Sequence, residues 1–176
     1  HPTDGLLTAA EFVPLAEETG FIDQLGLWTM QQSCQQMKKW RAAGLVLDHV
    51  AVNVSPSQFR KRVLVDIVAA CVSDADLHPS SLEIEITEGL LLNLSDTVLS
   101  KLAALQASGM QVSIDDFGTG YSSMSYLKRL DIDYLKIDQS FVAELVHDNF
   151  SRTITETIIV MAHKLGLKVI AEGVET

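Results

Sequence analysis

The chain has 176 residues, of which 47% are hydrophobic and 20% charged, as expected for a globular domain with one core. Its formal net charge of -10 argues against binding to DNA or RNA polymers, because such binding depends on clustered Lys and Arg. No apolar run reaches the roughly 20 residues of a membrane-spanning helix. Cys34 and Cys71 show no metal-site spacing, so we expect two buried free thiols and a cytoplasmic location.

Helical and strand-like segments alternate along the chain. Apolar spacing predicts helices over residues 11–18, 23–43, 62–73, 95–108, 124–129, 140–146 and 151–165. Between them lie five strand-like runs, LDHVAVNV, LEIEIT, VSIDD, YLKID and KVIAEGVE. The Ser55-Pro56-Ser57 segment is interpreted as a turn, and the residues after Glu88 as a loop. This alternation predicts an α/β fold with a parallel sheet.

Each strand-like run brings polar groups to its C-terminal end. These are Asn53, Glu85 and Glu88, Asp115 and Asp116, Lys136 and Asp138, and Glu172 and Glu175. Because successive side chains of a strand alternate, the polar groups share one face and the apolar residues occupy the other. A closed or nearly closed TIM-like (β/α) barrel with a charged mouth fits this pattern, because helices cover the apolar face and the polar face encloses a cavity. Five strands cannot close an eight-stranded barrel, so we expect further strands beyond His1, Thr176 or both.

The strand-end groups include four oxygen ligands, Asn53, Glu85, Asp115 and Asp116. Mg²⁺ and Mn²⁺ prefer oxygen, and carboxylates can bridge two such ions roughly 3.5–4 Å apart, an arrangement used in phosphodiester hydrolysis. Asp115 and Asp116 alternate on an ideal strand, so both can serve only where the strand is already turning. The FGTG segment that follows makes such a turn plausible.

Lys136 is the cation among these acids, where it could contact a phosphate oxygen or orient attacking water. Glu172 could hold Lys136 in place or accept a proton, and we favour the holding role. Glu83 lies deeper in its strand, and we expect Lys136 to balance its charge. A structural alternative exists for each group alone, since Asp116 can be a helix N-cap and acidic strand ends can be solvated loop entries. Their convergence favours a site.

Several motifs together resemble the EAL domain, the bacterial phosphodiesterase that linearises cyclic di-GMP. They are NVSPSQF, EIEITE, DDFGTGYSS, YLKID and AEGVET, with FVPLAEETG and the opening His-Pro. The resemblance covers essentially all of residues 1–176 as one domain. It implies a modified TIM-like barrel that binds two Mg²⁺ or Mn²⁺ ions and hydrolyses cyclic di-GMP to pGpG.

The resemblance also implies roles for individual residues. Asn53, Glu85 and Asp115 resemble ligands of one ion, and Asp115 and Asp116 would hold the second. Lys136, Glu172 and Asp116 resemble catalytic residues. Glu88 is similar to the glutamate that anchors the loop after DDFG, and Glu175 to an acid at the site's mouth. The family implies a homodimer, with GGDEF or sensory domains elsewhere in the protein.

Two family segments would lie outside residues 1–176. The strand with the signature Glu-Ala-Leu would precede His1, and a Gln-Gly-Tyr stretch would follow Thr176. We therefore expect this chain alone to be inactive or impaired, within a parent domain that is a phosphodiesterase.

Two other functions remain as alternatives. The first is a receptor that binds cyclic di-GMP without cleaving it, although such a receptor would be expected to have lost ligands, and all four are present here. The second is a metal-dependent TIM-barrel enzyme acting on another small phosphorylated or carboxylated substrate.

Overall fold

Five strands form one parallel sheet in which each strand pairs with the next along the chain. A computed structural model describes residues 1–91, 95–120, 127 and 130–174. The strands within this part are β1 (Val50–Asn53), β2 (Leu82–Thr87), β3 (Gln111–Phe117), β4 (Tyr134–Ile137) and β5 (Lys168–Ala171). All four pairings are parallel, which confirms the predicted α/β fold.

Two helices precede β1, and the others lie in the connections between the strands. The described helices are α1 (Ala9–Thr19), α2 (Ile22–Ala42), α3 (Pro56–Phe59), α4 (Leu64–Asp74), α5 (Glu88–Leu91), α6 (Asp96–Ala107), α7 (Gln139–Ala143) and α8 (Asn149–Lys164). A short 3-10 turn spans Pro79–Ser81. Within the described ranges, no helix has both the length and the apolar composition needed to cross a bilayer. The helix predicted over residues 124–129 falls, apart from residue 127, outside the described part of the chain.

Two short helices replace segments that the sequence predicts as a turn and a loop. At α3, the Ser55 side chain accepts a hydrogen bond from the backbone N–H of Gln58, while the Gln58 side chain accepts one from the Ser55 N–H. This reciprocal capping, with Pro56 in the first turn, stabilises a single helical turn. Helix α5 begins directly at Glu88, where a loop is predicted.

The apolar face of the sheet forms the core. Ile84, Ile86, Val112, Ile114 and Leu135 have no exposed surface. They belong to the same buried cluster as apolar residues of α4 and α6, so the helices cover this face as predicted. The core thereby fixes the strands from one side and leaves their polar face to build a site. Cys34 and Cys71 are free and buried, as expected.

We expect truncation of two helical leucines to change the free energy of unfolding by different amounts, because only one of them is buried. Leu102 on α6 is 2% exposed, whereas Leu15 on α1 is 61% exposed. We expect Leu102→Ala to lower the free energy of unfolding by about 2–5 kcal/mol, because it removes buried contacts and leaves a cavity. Leu15→Ala should stay within about 0.5 kcal/mol of the wild type. Denaturant unfolding of both variants measures the difference, and equal losses would contradict this assignment of the core.

Candidate functional site

The Lys136 side chain on β4 lies at the centre of a group of acids from three other strands or strand ends. Its ammonium Nζ is 2.7 Å from Oε1 of Glu85, 3.0 Å from Oδ1 of Asp115 and 2.5 Å from Oε1 of Glu172. Lys136, Glu85 and Asp115 are each less than a tenth exposed. Strands β2, β3 and β4 and the end of β5 therefore converge on one cation, as the polar strand face predicts.

Asn53 joins this group through Glu85. The two residues are register partners on β1 and β2, and Nδ2 of Asn53 donates to Oε2 of Glu85 at 2.8 Å. The amide oxygen of Asn53 takes no part in that bond, so it remains as a candidate ligand atom. The predicted convergence of Asn53, Glu85 and Asp115 is confirmed by these contacts.

The strand turns at Asp116, which brings consecutive acids to the same site. Pairing between β3 and β4 shifts register between Ile114 and Phe117, and Asp116 has a φ of 56°. This left-handed backbone is uncommon outside glycine, although Asp tolerates it better than most residues. Ligand oxygens of Asp115, Asp116 and Glu172 lie within 4.8 Å of one another as a result. The turn required for both aspartates is confirmed.

The acids and the lysine shift one another's ionisation. Burial alone would lower the pKa of Lys136, but its hydrogen bonds with Glu172, Glu85 and Asp115 outweigh burial and raise that pKa. Burial raises the pKa of Glu85, and Lys136 opposes this only in part. Lys136 therefore stays charged, while the carboxylate form of Glu85 is disfavoured relative to a carboxylate in water.

Asp138 lies next to the site, but it was not among the candidate site residues expected from the sequence. Its carboxyl group is one of those that shift the ionisation of Asp116. Burial, followed by the charges of Asp115 and Asp138, raises the pKa of Asp116. Burial opposes the lowered pKa of Asp138, but hydrogen bonds from Ser140 outweigh it. The pKa values of the two carboxyls are therefore shifted in opposite directions, upward for Asp116 and downward for Asp138. The signal in the sequence was the position of Asp138 two residues after Lys136, on the same strand face.

Glu88 holds the segment that follows Asp116. Its Oε2 accepts hydrogen bonds from the backbone N–H groups of Gly118 at 2.9 Å and Gly120 at 3.1 Å. Glu88 is 2% exposed, and a Cβ at Gly120 would lie 3.1 Å from the Glu88 carboxylate. The close approach favours glycine there, and the contact is the one expected of a loop anchor.

Two other predictions have different outcomes. Glu83 does not pair with Lys136, because its Oε2 lies 2.7 Å from Nε2 of His49, at the N-terminal side of β1. Lys136 instead contacts acids nearer the C-terminal ends of the strands, so the expected Glu83–Lys136 balance was wrong. Glu175 lies outside the described residues.

Comparison with known proteins identifies the family. A model of the EAL domain matches residues 1–176, the whole chain. The chain belongs to the EAL domain family. This membership confirms the resemblance and, with the parallel sheet, the TIM-like α/β architecture.

Relatives of this EAL chain include much longer proteins. The bifunctional diguanylate cyclase/cyclic di-GMP phosphodiesterase MucR of Pseudomonas aeruginosa is 46% identical over 176 residues, which cover 100% of this chain and 26% of MucR. The cyclic di-GMP phosphodiesterase NbdA of the same species is 44% identical, with 100% of this chain and 22% of NbdA covered. The chain thus spans about a quarter of these relatives.

Solved structures show the same fold. The MucR phosphodiesterase in complex with c-di-GMP has a TM-score of 0.95 and 45% identity, covering 100% of this chain and 71% of that one. The EAL domain of Mycobacterium smegmatis DcpA has a TM-score of 0.80 and 40% identity, covering 88% of this chain and 70% of that one.

The donor set of the EAL chain fits a hard divalent cation. Asp115, Asp116 and Glu172 supply clustered carboxylate oxygens, as Mg²⁺ and Mn²⁺ prefer. Glu85 is not a member of that cluster, and its contacts run to Lys136 and Asn53. Glu172, interpreted from sequence as support for Lys136, contacts Lys136 and also belongs to the cluster.

The raised pKa of Asp116 predicts a pH-dependent effect of Asp116→Asn. A carboxyl with a raised pKa in the folded state contributes stability at low pH that is lost as the pH rises through the folded pKa. At pH 7 without metal, we expect Asp116→Asn to unfold at the same temperature as the wild type or higher. This difference should shrink on acidification. Thermal unfolding in EDTA between pH 4 and 7 measures it.

The same variant should lose stabilisation by Mn²⁺, because a ligand carboxylate is gone. Asp66→Asn, on the exposed surface of α4, provides the control and should respond to Mn²⁺ as the wild type does. Strong destabilisation of metal-free Asp116→Asn would show that Asp116 has a structural role instead.

Proposed function

We propose that residues 1–176 form the core of a cyclic di-GMP phosphodiesterase that opens its substrate to linear pGpG with two Mg²⁺ or Mn²⁺ ions. The observation that supports it best is the convergence of Asn53, Glu85, Asp115 and Glu172 around Lys136 in a member of the EAL family. The similar MucR structure was determined with c-di-GMP. The presence of Asn53, Glu85, Asp115 and Asp116, all four of the expected strand-end ligands, favours hydrolysis over binding alone.

In this proposal, the strand-end oxygens hold the ions. Asn53, Glu85 and Asp115 would hold one ion, and Asp115 with Asp116 the other. When bound, the ions supply Lewis-acid polarisation of the scissile phosphodiester. The backbone turn at Asp116 matters because it lets neighbouring aspartates serve both positions.

Lys136 would act on the phosphate and the attacking water. Its raised pKa keeps the ammonium charged at neutral pH, so it can donate to a phosphate oxygen and stabilise charge that develops there. Among the three acids that contact Lys136, Glu172 is the most accessible, with 28% of its side chain exposed. It would hold Lys136 and, being nearest to solvent, could receive a proton from water.

Glu88 would set the position of the segment after Asp116. By accepting two backbone N–H groups, it ties Gly118 and Gly120 to the start of α5. Asp116 lies two residues before Gly118 in the chain. A shift in this segment would therefore reach the ion ligands through the main chain.

The partners and setting belong to the same proposal. We place the protein in the cytoplasm, since its two cysteines are free. A homodimer and additional GGDEF or sensory domains are proposed from the family, and MucR, named as bifunctional, is an example of a longer relative. Residues 1–176 alone are proposed to be inactive or impaired.

The central prediction concerns Asp115→Asn in the full-length protein. We expect turnover of cyclic di-GMP with Mn²⁺ to fall by orders of magnitude, because Asp115 is proposed to bridge both ions. Thermal stability without metal should change little. Chromatographic measurement of pGpG formation, with Asp66→Asn as the control, tests this. An equally large loss of stability would assign Asp115 a structural role.

The wild-type protein separates the competing functions. Hydrolysis to pGpG supports the phosphodiesterase. Binding of cyclic di-GMP in calorimetry without pGpG formation would indicate a receptor. Failure of a folded sample to bind cyclic di-GMP would reject both and favour a different phosphorylated substrate.

A further inference from the structure

Lys101 on α6 is a buried lysine that the proposed chemistry does not use. It is 7% exposed, and its Nζ donates to the backbone carbonyls of Phe59 at 2.7 Å and Lys61 at 2.8 Å. Burial lowers its pKa. Over the described ranges, Lys101 has no carboxylate partner. Burying an ammonium without a carboxylate partner costs free energy. The hydrogen bonds to these two carbonyls therefore point to a role for Lys101.

The two carbonyls lie at and just beyond the end of α3, the single helical turn that follows Asn53. Carbonyls at a helix C-terminus lack partners within the helix, and Lys101 satisfies that of Phe59, the last residue of α3. Lys61, whose carbonyl Lys101 also binds, lies two residues beyond the helix. At its other side, α3 is attached to α2 through Gln58, whose Nε2 donates to the carbonyl of Ile22 at 3.0 Å. Phe59 has no exposed surface. The segment after Asn53 is therefore fixed from two directions.

Strand β1 needs such support because it lies at the edge of the sheet. Among the described strands, it pairs only with β2. Its C-terminal end carries Asn53, and the next residue, Val54, donates to the carbonyl of Glu85 at 2.9 Å. Lys101 comes from α6, the helix that connects β2 with β3. It thus connects the segment behind Asn53 to the helix between the strands that carry Glu85 and Asp115.

We propose that Lys101 is a positioning residue that fixes Asn53 for metal binding through α3. The inference rests on the proposed function, because it assumes that Asn53 is a metal ligand. Lys101 touches neither an ion nor a substrate in this role. It restricts the end of β1, so that Asn53 stays beside Glu85.

Two variants disturb α3 from opposite sides. Lys101→Met keeps the apolar stem of the side chain and removes its donors. Gly26→Ala acts from α2, where an added Cβ would lie 1.8 Å from Nε2 of Gln58, so Gln58 must give up its bond to Ile22. Leu102→Ala is the control. It destabilises α6 at the neighbouring position without touching these bonds.

The experiment is calorimetric titration of Mn²⁺ into the metal-free full-length protein, without substrate, at a temperature where thermal unfolding shows each variant folded. We expect Lys101→Met and Gly26→Ala to bind Mn²⁺ about tenfold more weakly than the wild type, at the lower end of the loss seen when groups that orient metal ligands are removed. Leu102→Ala should bind as the wild type does.

Unchanged Mn²⁺ affinity in Lys101→Met would overturn the inference. So would an equal loss in Leu102→Ala, because general destabilisation would then explain the effect. If Lys101→Met does not fold, Gly26→Ala decides: weaker binding supports the role of α3, and unchanged binding rejects it. A wild type that binds no Mn²⁺ fails the proposed function itself and is distinguished by that result.

Discussion

The ammonium of Lys136 makes this arrangement of acids tenable. Glu85, Asp115 and Glu172 come from different strands, and each lies within 3.0 Å of the same Nζ atom. Carboxylates brought together in a site shielded from water repel one another strongly, and burial adds a desolvation cost. A central cation offsets both. Glu85 shows how incomplete the compensation is, since its pKa stays raised despite the contact with Lys136.

The backbone contributes a second constraint at Asp116. A regular strand would direct Asp115 and Asp116 to opposite faces, and the register shift before Phe117 prevents this. At this irregularity the backbone of Asp116 has a left-handed conformation. Backbone strain of this kind persists only where surrounding contacts determine it, and Glu88 supplies such contacts just beyond the turn.

The sequence predicted the parts of the fold that depend on periodicity. Alternation within each strand placed Asn53, Glu85, Asp115 and Lys136 on one face and the apolar residues on the other, because a two-residue period is a local property. It did not predict α3, where reciprocal capping by Ser55 and Gln58 converts an apparent turn into a helix. Periodicity cannot reveal so short an element.

Long-range pairing was the other source of error. Glu83 and Lys136 share the polar face, and the sequence alone suggested that they would meet. The parallel register instead places Glu83 opposite Ala51 and close to His49. Asp138 was not among the candidate residues, because its effect on the pKa of Asp116 is not visible in the local sequence pattern. Which polar groups meet along a strand face is set by register, which local patterns do not specify.

The distribution of carboxylate oxygens makes Lys136 compatible with cations in the proposed site. Asp115 uses a single oxygen, Oδ1, for both Lys136 and the backbone N–H of Asp116, so Oδ2 takes no part in either contact. Asn53 likewise contributes its nitrogen to Glu85 and keeps its oxygen out of that bond. Each of these two side chains can therefore form its hydrogen bonds within the protein through one atom and bind a metal ion through another. In a chain with a net charge of -10, this division lets Lys136 offset the repulsion between the acids in the metal-free fold while their other oxygens remain available to divalent ions.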